Sequence, residues 1–177
     1  MIYLALLRGI NVGGNNKVSM TELKMVFERA GMQVVSTYIN SGNVIFESSI
    51  NSKSKIANIL EKAIESSFGL SIKIVVVDRD TLLSITKSLP NTWVNDANMK
   101  CDVMFLWDSI DNANILKQIT IKPDIDNVLY VPGALLWSVD RKDLTKSGML
   151  KLVGTSTYKQ MTIRNCNTVR KLANLVE

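Results

Sequence analysis

Residues 2–7, Ile2-Tyr3-Leu4-Ala5-Leu6-Leu7, are continuously apolar and stop at Arg8. That is the pattern of a central β-strand covered on both faces. A polar stretch with three glycines follows, Gly9-Ile10-Asn11-Val12-Gly13-Gly14. Ser19-Met20-Thr21-Glu22 then spells a capping box, in which the serine oxygen accepts from the Glu22 amide and the glutamate reaches back. Leu23, Val26, Phe27 and Ala30 recur at helical spacing, and Gly31 supplies the stop. Residues 34–39 and 44–47 are short β-rich runs around the polar turn Asn40-Ser41-Gly42-Asn43, so they read as a hairpin. Ile56, Ile59, Leu60, Ala63 and Ile64 mark a second amphipathic helix that closes near Gly69, and residues 71–77 form a fourth strand. The order β-α-β-β-α-β is that of the ferredoxin-like unit, with two helices on one face of an antiparallel sheet.

The second half repeats much of this. Leu82, Leu83 and Ile85 predict a bridging helix that Pro90 ends. A strand over 103–107 and a helix over 112–119 come next. Leu129-Tyr130-Val131 and Leu135-Leu136-Trp137 flank the turn pair Pro132-Gly133, giving a second hairpin. A helical region over 143–152 follows, and a last helix after Asn165 presents Val169, Leu172, Ala173 and Val176. The expected fold is therefore α+β. It comprises two ferredoxin-like β-α-β-β-α-β-type subdomains with antiparallel sheets, residues 1–79 and residues 80–177, the second including the bridging helix.

Composition narrows the class without naming a function. Hydrophobic residues make up 46% of the 177 positions, enough apolar surface to offset the ordering entropy of a folded core. The apolar run at 2–7 is far shorter than the roughly 20 residues of a membrane span, and no basic segment precedes it. A cytoplasmic protein that makes no membrane contact is the expectation. Cys101 and Cys166 form no C-x-x-C pair, and the chain has no histidine, so no metal is expected. Buried free thiols are the plain reading, although Cys166 sits at a predicted helix start where a thiolate is favoured. The charge of +5 is uneven. Residues 90–140 carry three basic and seven acidic side chains, and residues 141–177 carry eight and two. That basic section attracts anions or is simply a solvated face.

Candidate chemistry concentrates at the two polar loops and at Thr162-Ile163-Arg164-Asn165. Successive amides in a glycine turn can form an anion-binding nest, and a nearby helix N-terminus adds its dipole. The loop is not a Walker loop, because Asn15-Asn16 stand where Lys-Ser/Thr is needed, and the G-x-G-x-x-G fingerprint is missing. A tight turn required by packing is the alternative. Asn165 or Thr162 can cap the final helix, which puts Arg164 at its positive end, opposite an anion or a structural carboxylate. Catalytic groups are scarce: no G-x-S-x-G elbow is present, and the pairs Asp108/Asp111 and Asp124/Asp126 read as turn and cap residues, with the second pair placed to share a strand face. An RNA-recognition module shares the element order, but residues 42–46 lack the basic start and paired aromatics of its third strand, so Tyr3 and Phe46 read as core.

Taken together, the segments 5–14 and 37–46 and the tetrad Thr162-Ile163-Arg164-Asn165 resemble an uncharacterised bacterial family, domain of unknown function 1697. Its recurring positions match Arg8, Gly9, Asn11, Gly13, Gly14, Tyr38, Ser41, Gly42, Asn43, Arg164 and Asn165. Cys166 departs from the family pattern, where tryptophan or another larger residue is common. The resemblance implies two ferredoxin-like subdomains and brings no established activity, cofactor or catalytic residue. The expected function is binding of an anionic or phosphorylated small ligand through Arg8, Asn11, Gly13, Gly14, Ser41, Asn43, Arg164 and Asn165, with no cofactor. The alternatives are nucleic-acid binding through the basic C-terminal section and a structural or interaction module.

Overall fold

β1 (Ile2–Leu7) is paired on both edges, antiparallel to β3 (Asn43–Glu47) on one side and to β4 (Ile74–Asp78) on the other. β2 (Gln33–Tyr38) closes the sheet beyond β3, giving the order β2-β3-β1-β4. The computed structural model describes residues 1–177. α1 (Met20–Arg29) starts at Ser19, whose Oγ accepts the Glu22 amide at 3.3 Å. α2 (Lys53–Phe68) starts at Ser52, which accepts the Lys55 amide at 3.2 Å, and it ends at Gly69 in the left-handed conformation. Leu23, Val26 and Phe27 of α1 and Ile56, Leu60 and Ile64 of α2 pack on Tyr3, Ala5, Leu7, Val44 and Phe46 of the sheet. Each Val, Leu, Ile or Phe side chain among them contributes about 1.5–3 kcal/mol when fully buried. Phe46 stacks on Tyr3 at 5.8 Å and meets Phe27 edge-on at 5.7 Å, while the Tyr3 hydroxyl donates to the Ile50 carbonyl. These rings are core and present no stacking platform. β2 carries a bulge between Gln33 and Ser36, where Val34 has a φ of 49° and is 73% exposed.

The chain divides into two compact units, Met1–Asp80 and Thr81–Leu175, with the boundary in the first turn of α3 (Arg79–Ser88). In the second unit β5 (Met99–Leu106) takes the central place, between β7 (Ala134–Asp140) and β8 (Met161–Asn165). β6 (Asn127–Val131) pairs with β7, and the order β6-β7-β5-β8 reproduces that of the first sheet. The fold is α+β with two four-stranded antiparallel sheets, each in the ferredoxin-like strand order. α4 (Cys166–Val176) follows β8 directly, capped by Asn165, whose Oδ1 accepts the Thr168 amide at 2.9 Å.

The second unit departs from expectation where helices were anticipated. The helix expected over 112–119 is a 3-10 turn, Ala113–Lys117, closed by i→i+3 bonds such as Gln118 N to Ile115 O. The β-branched run Ile119-Thr120-Ile121 and Pro123 beyond it disfavour continuation. The region expected over 143–152 splits into two 3-10 turns, Arg141–Lys146 and Gly148–Leu152. Asp126 causes the split. Its carboxylate accepts from the Ser147 hydroxyl, the Gly148 amide (2.9 Å), the Lys122 amide (3.0 Å) and the Trp137 indole (3.2 Å). Gly148 also passes so close to the Thr120 carbonyl that an added Cβ would lie 2.6 Å from its oxygen. Asp124 and Asp126 therefore do not share a strand face; they lie in the turn before β6. β8 went unforeseen, and Thr162, one of the two caps considered for the last helix, lies inside it.

Burial raises the Asp126 pKa, but the bonds from Ser147, Lys122, Gly148 and Trp137 outweigh it, so the net shift is downward. A carboxylate depressed in the folded state stabilises fully above its unfolded pKa, about 3.9, and loses that contribution as pH falls through the folded value. Asp126→Ala leaves these donors without their acceptor and costs on the order of 3 kcal/mol. All three tryptophans, Trp93, Trp107 and Trp137, lie in the second unit. Urea unfolding followed by their fluorescence should thus show the loss at pH 7 and a smaller difference between variant and parent below about pH 3.5.

Candidate functional site

The end of β1 is where the polar motifs of the first unit meet. The Leu7 amide donates to the Gly42 carbonyl and the Arg8 amide to the Lys73 carbonyl, both at 2.9 Å. These bonds bring the loop after β1 against the β2–β3 turn and the approach to β4. Gly42 sits at a φ of 76°, and a Cβ there would lie 2.8 Å from both Leu7 Cβ and Ile10 Cδ1. The close approach of the two loops thus requires glycine.

Beyond Arg8 the chain forms a miniature hairpin. Val12 and Asn15 bridge, the Asn15 amide donates to the Val12 carbonyl at 3.0 Å, and Gly13 and Gly14 between them have φ values of 58° and 80°. Two central residues with positive φ are what a type I′ turn demands. Asn11, itself left-handed at 54°, closes the base. Its Nδ2 donates to the Val18 carbonyl (3.0 Å) and the Asn40 carbonyl (2.9 Å), and its Oδ1 accepts the Val18 amide (2.8 Å). Asn16 Nδ2 donates to the Gly9 carbonyl. Asn43 is fully buried, and its Nδ2 donates to the Tyr38 carbonyl and the Ser41 hydroxyl. Both amide hydrogens of Asn11 and both of Asn43 are therefore donated within the protein.

A depression of about 390 Å³ opens beside this knot, lined by Asn11, Gly14, Lys17, Val18, Ser19, Met20 and Asn40. It faces the N-terminus of α1, and Lys17 is exposed. Ile39 neighbours it, half exposed and held at a φ of 49°, an unusual conformation for a β-branched residue. Of the candidate ligand residues in this unit, Asn11 and Gly14 line the depression. Gly13 forms the turn tip, Arg8 stands half-buried at the strand end, Ser41 lies within the β2–β3 turn, and Asn43 is the first residue of β3. Lys17 was not anticipated, because it belongs to none of the polar motifs and no start signal of a helix calls for a basic residue there.

Arg164 and Asn165 belong to the second unit. Arg164 lies in β8 opposite Val103, buried, with Nη1 donating to the Thr162 hydroxyl (3.2 Å) and the Ile163 carbonyl (2.8 Å). Desolvation lowers its pKa to about 10, so it stays charged at neutral pH. Four more basic side chains of this section have local roles. Arg141 and Arg170 donate to backbone carbonyls, while Lys142 and Lys146 pair with Asp140 and Asp143. Asp111 accepts from the Tyr130 hydroxyl and the Gly133 amide, as a turn residue would. No three His, Cys, Asp or Glu side chains gather as a metal site, and no helix is long and apolar enough to cross a membrane.

The family model described as "Protein of unknown function (DUF1697)" matches residues 1–137. The chain belongs to the DUF1697 family. The matched span holds both polar loops and the depression and ends before Thr162-Ile163-Arg164-Asn165. The solved structure of the conserved bacterial protein SP0830 from Streptococcus pneumoniae is similar over 99% of this DUF1697 chain and 98% of that one, at 27% identity and a TM-score of 0.83. No curated protein matches the sequence significantly.

Asn11→Ala removes the three bonds at the base of the loop and should destabilise the first unit by about 2–3 kcal/mol, a typical hydrogen bond contributing about 1. Gly42→Ala should cost at least as much through the clash and its positive φ, on the order of 1–3 kcal/mol for the backbone alone. Hydrogen exchange of the amides in β1 and β3 would register both losses; unchanged protection would show the loop knot to be dispensable for the sheet.

Proposed function

We propose that this chain binds a small anionic or phosphorylated ligand in the depression beside the glycine hairpin. The observation that supports the reading is the placement of Lys17, Gly14 and the start of α1 around one opening of about 390 Å³. A helix leaves its first amides without carbonyl partners inside the helix, and the positive end of its dipole favours an anion. Ser19 takes up the Glu22 amide, and the amides of Met20 and Thr21 before it have no carbonyl partner within the helix. Lys17 supplies the charge, the hairpin tip supplies backbone donors, and Asn11 shapes the wall while its own hydrogens hold Val18 and Asn40 in place. Arg8 adds positive charge at the root of the same loop. The reading rests on the first unit alone. Nucleic-acid binding draws less support, since five of the eight basic side chains in the 141–177 section are engaged with carbonyls, a hydroxyl or neighbouring carboxylates.

Thermal unfolding at low salt against inorganic phosphate, pyrophosphate, nucleotides, simple carboxylates and short oligonucleotides tests the reading. A ligand at a hundred times its dissociation constant stabilises by about 2.7 kcal/mol, a rise of roughly 5–10 °C for a chain of this length. The expected result is a shift with phosphorylated compounds that Lys17→Ala abolishes without lowering the unliganded midpoint. A shift with oligonucleotides alone would favour the nucleic-acid alternative. Silence across the panel, or a shift that survives Lys17→Ala, would overturn the site.

A further inference from the structure

Cys101 and Cys166 are 65 positions apart in sequence and neighbours in the second sheet. The β5–β8 ladder pairs Asp102 with Asn165. Asn165 is extended (φ −66°, ψ 155°), so the next opposed pair in the antiparallel direction is Cys101 and Cys166. Directly opposed antiparallel residues have Cα atoms about 4.5–5.5 Å apart, inside the range a disulfide spans. The two thiols interact directly, and both cysteines are fully buried and free.

Their surroundings are those of a reactive pair. Cys166 is the first residue of α4, where the helix dipole favours a thiolate, and its Sγ lies 3.6 Å from Arg170 Nη1. Arg170 is fixed by bonds to the carbonyls of Trp93 and Pro90. The hydrogen bond from Cys101, together with Arg170, lowers the Cys166 pKa against the opposing effects of burial and Asp102; the same contact and burial raise that of Cys101. Opposite Cys101 on β7 stands Ser138, fully buried, its hydroxyl without a partner. A polar atom left unused opposite Cys101 is a costly feature in an interior that served packing alone. The irregular segment 89–98 is tied to the pair's surroundings through Asn95 and Asn167 as well as Trp93. Irregular segments held by a few bonds open locally far more often than the fold does globally.

We propose that Cys101 and Cys166 form a reversible redox pair that a hydroperoxide closes to an intramolecular disulfide. The Cys166 thiolate attacks one peroxide oxygen: an S–O bond forms, the O–O bond breaks, and the departing hydroxide or alkoxide takes a proton, leaving a sulfenic acid. The Cys101 sulfur then attacks the Cys166 sulfur. The S–S bond forms, the S–O bond breaks, and hydroxide leaves as water with the Cys101 proton. Two thiols are oxidised and one peroxide is reduced. A small thiol reverses the change by exchange, its own two equivalents ending as a disulfide.

The chain has no other cysteine, which makes the test direct. The full-length protein is treated with hydrogen peroxide, denatured, and alkylated before mass spectrometry. Two alkylated thiols should fall to none, return to two after dithiothreitol, and leave the protein monomeric on a non-reducing gel. In Cys101→Ser the second step is blocked, so Cys166 should be trapped as a sulfenic acid by dimedone; in Cys166→Ser, Cys101 should remain unmodified. Persistence of two alkylatable thiols in the parent protein would overturn the proposal, whatever the variants do. So would a disulfide-linked dimer, or dimedone capture at Cys101 in preference to Cys166.

Discussion

A strand with apolar residues on both faces can satisfy its backbone groups only through its edges, and β1 and β5 meet that demand with two antiparallel partners each. Much of the architecture follows. The partners on either side run the same way as each other, so the chain passes from one to the other through a crossing segment and not through a tight turn alone. In the first unit α1 and α2 make the crossings and cover one face. In the second, 3-10 turns lie in the crossing segments, held in the core by buried side chains such as Ile115 and Met149. The same demand fixes where the loops converge: when β1 runs out of partners, the amides of Leu7 and Arg8 go to Gly42 and Lys73.

The first unit was legible almost throughout. The unbroken run at 2–7, the capping box at Ser19, the helical spacing of Leu23, Val26 and Phe27 and the glycine stops all speak through local propensity, and the structure uses them so. The second unit was legible where turns dominate, as at Pro132-Gly133, and illegible where tertiary bonds override the local pattern. No periodicity announces that Asp126 will draw the Ser147 hydroxyl and the Gly148 amide to itself and break a helix in two. β8 hides for a different reason. A buried arginine among five residues breaks the apolar signal of a strand, and its hydrogen bonds to Thr162 and Ile163 are made only once the strand exists.

The motif residues show why a distinctive sequence is ambiguous about function. Asn11 and Asn43 carry donors suited to a ligand, yet both spend their amide hydrogens on carbonyls or a hydroxyl nearby. An asparagine that ties three segments together is as constrained as one that grips a substrate. Lys17 has the opposite character: it belongs to no motif, and it stands at the opening. The neighbouring cysteines lay beyond any reading of spacing, since their proximity depends on the register of a strand the sequence concealed.

Val34 interrupts the outer strand of the first sheet in a backbone conformation that a β-branched side chain resists, with its two methyl groups in solvent. The bulge it forms denies a regular row of donors and acceptors along β2. A strand from a second molecule, approaching to extend the sheet, would find its ladder out of step after one or two bonds. Local strain at one residue thereby guards the open edge against polymerisation, and the sheet stops at four strands.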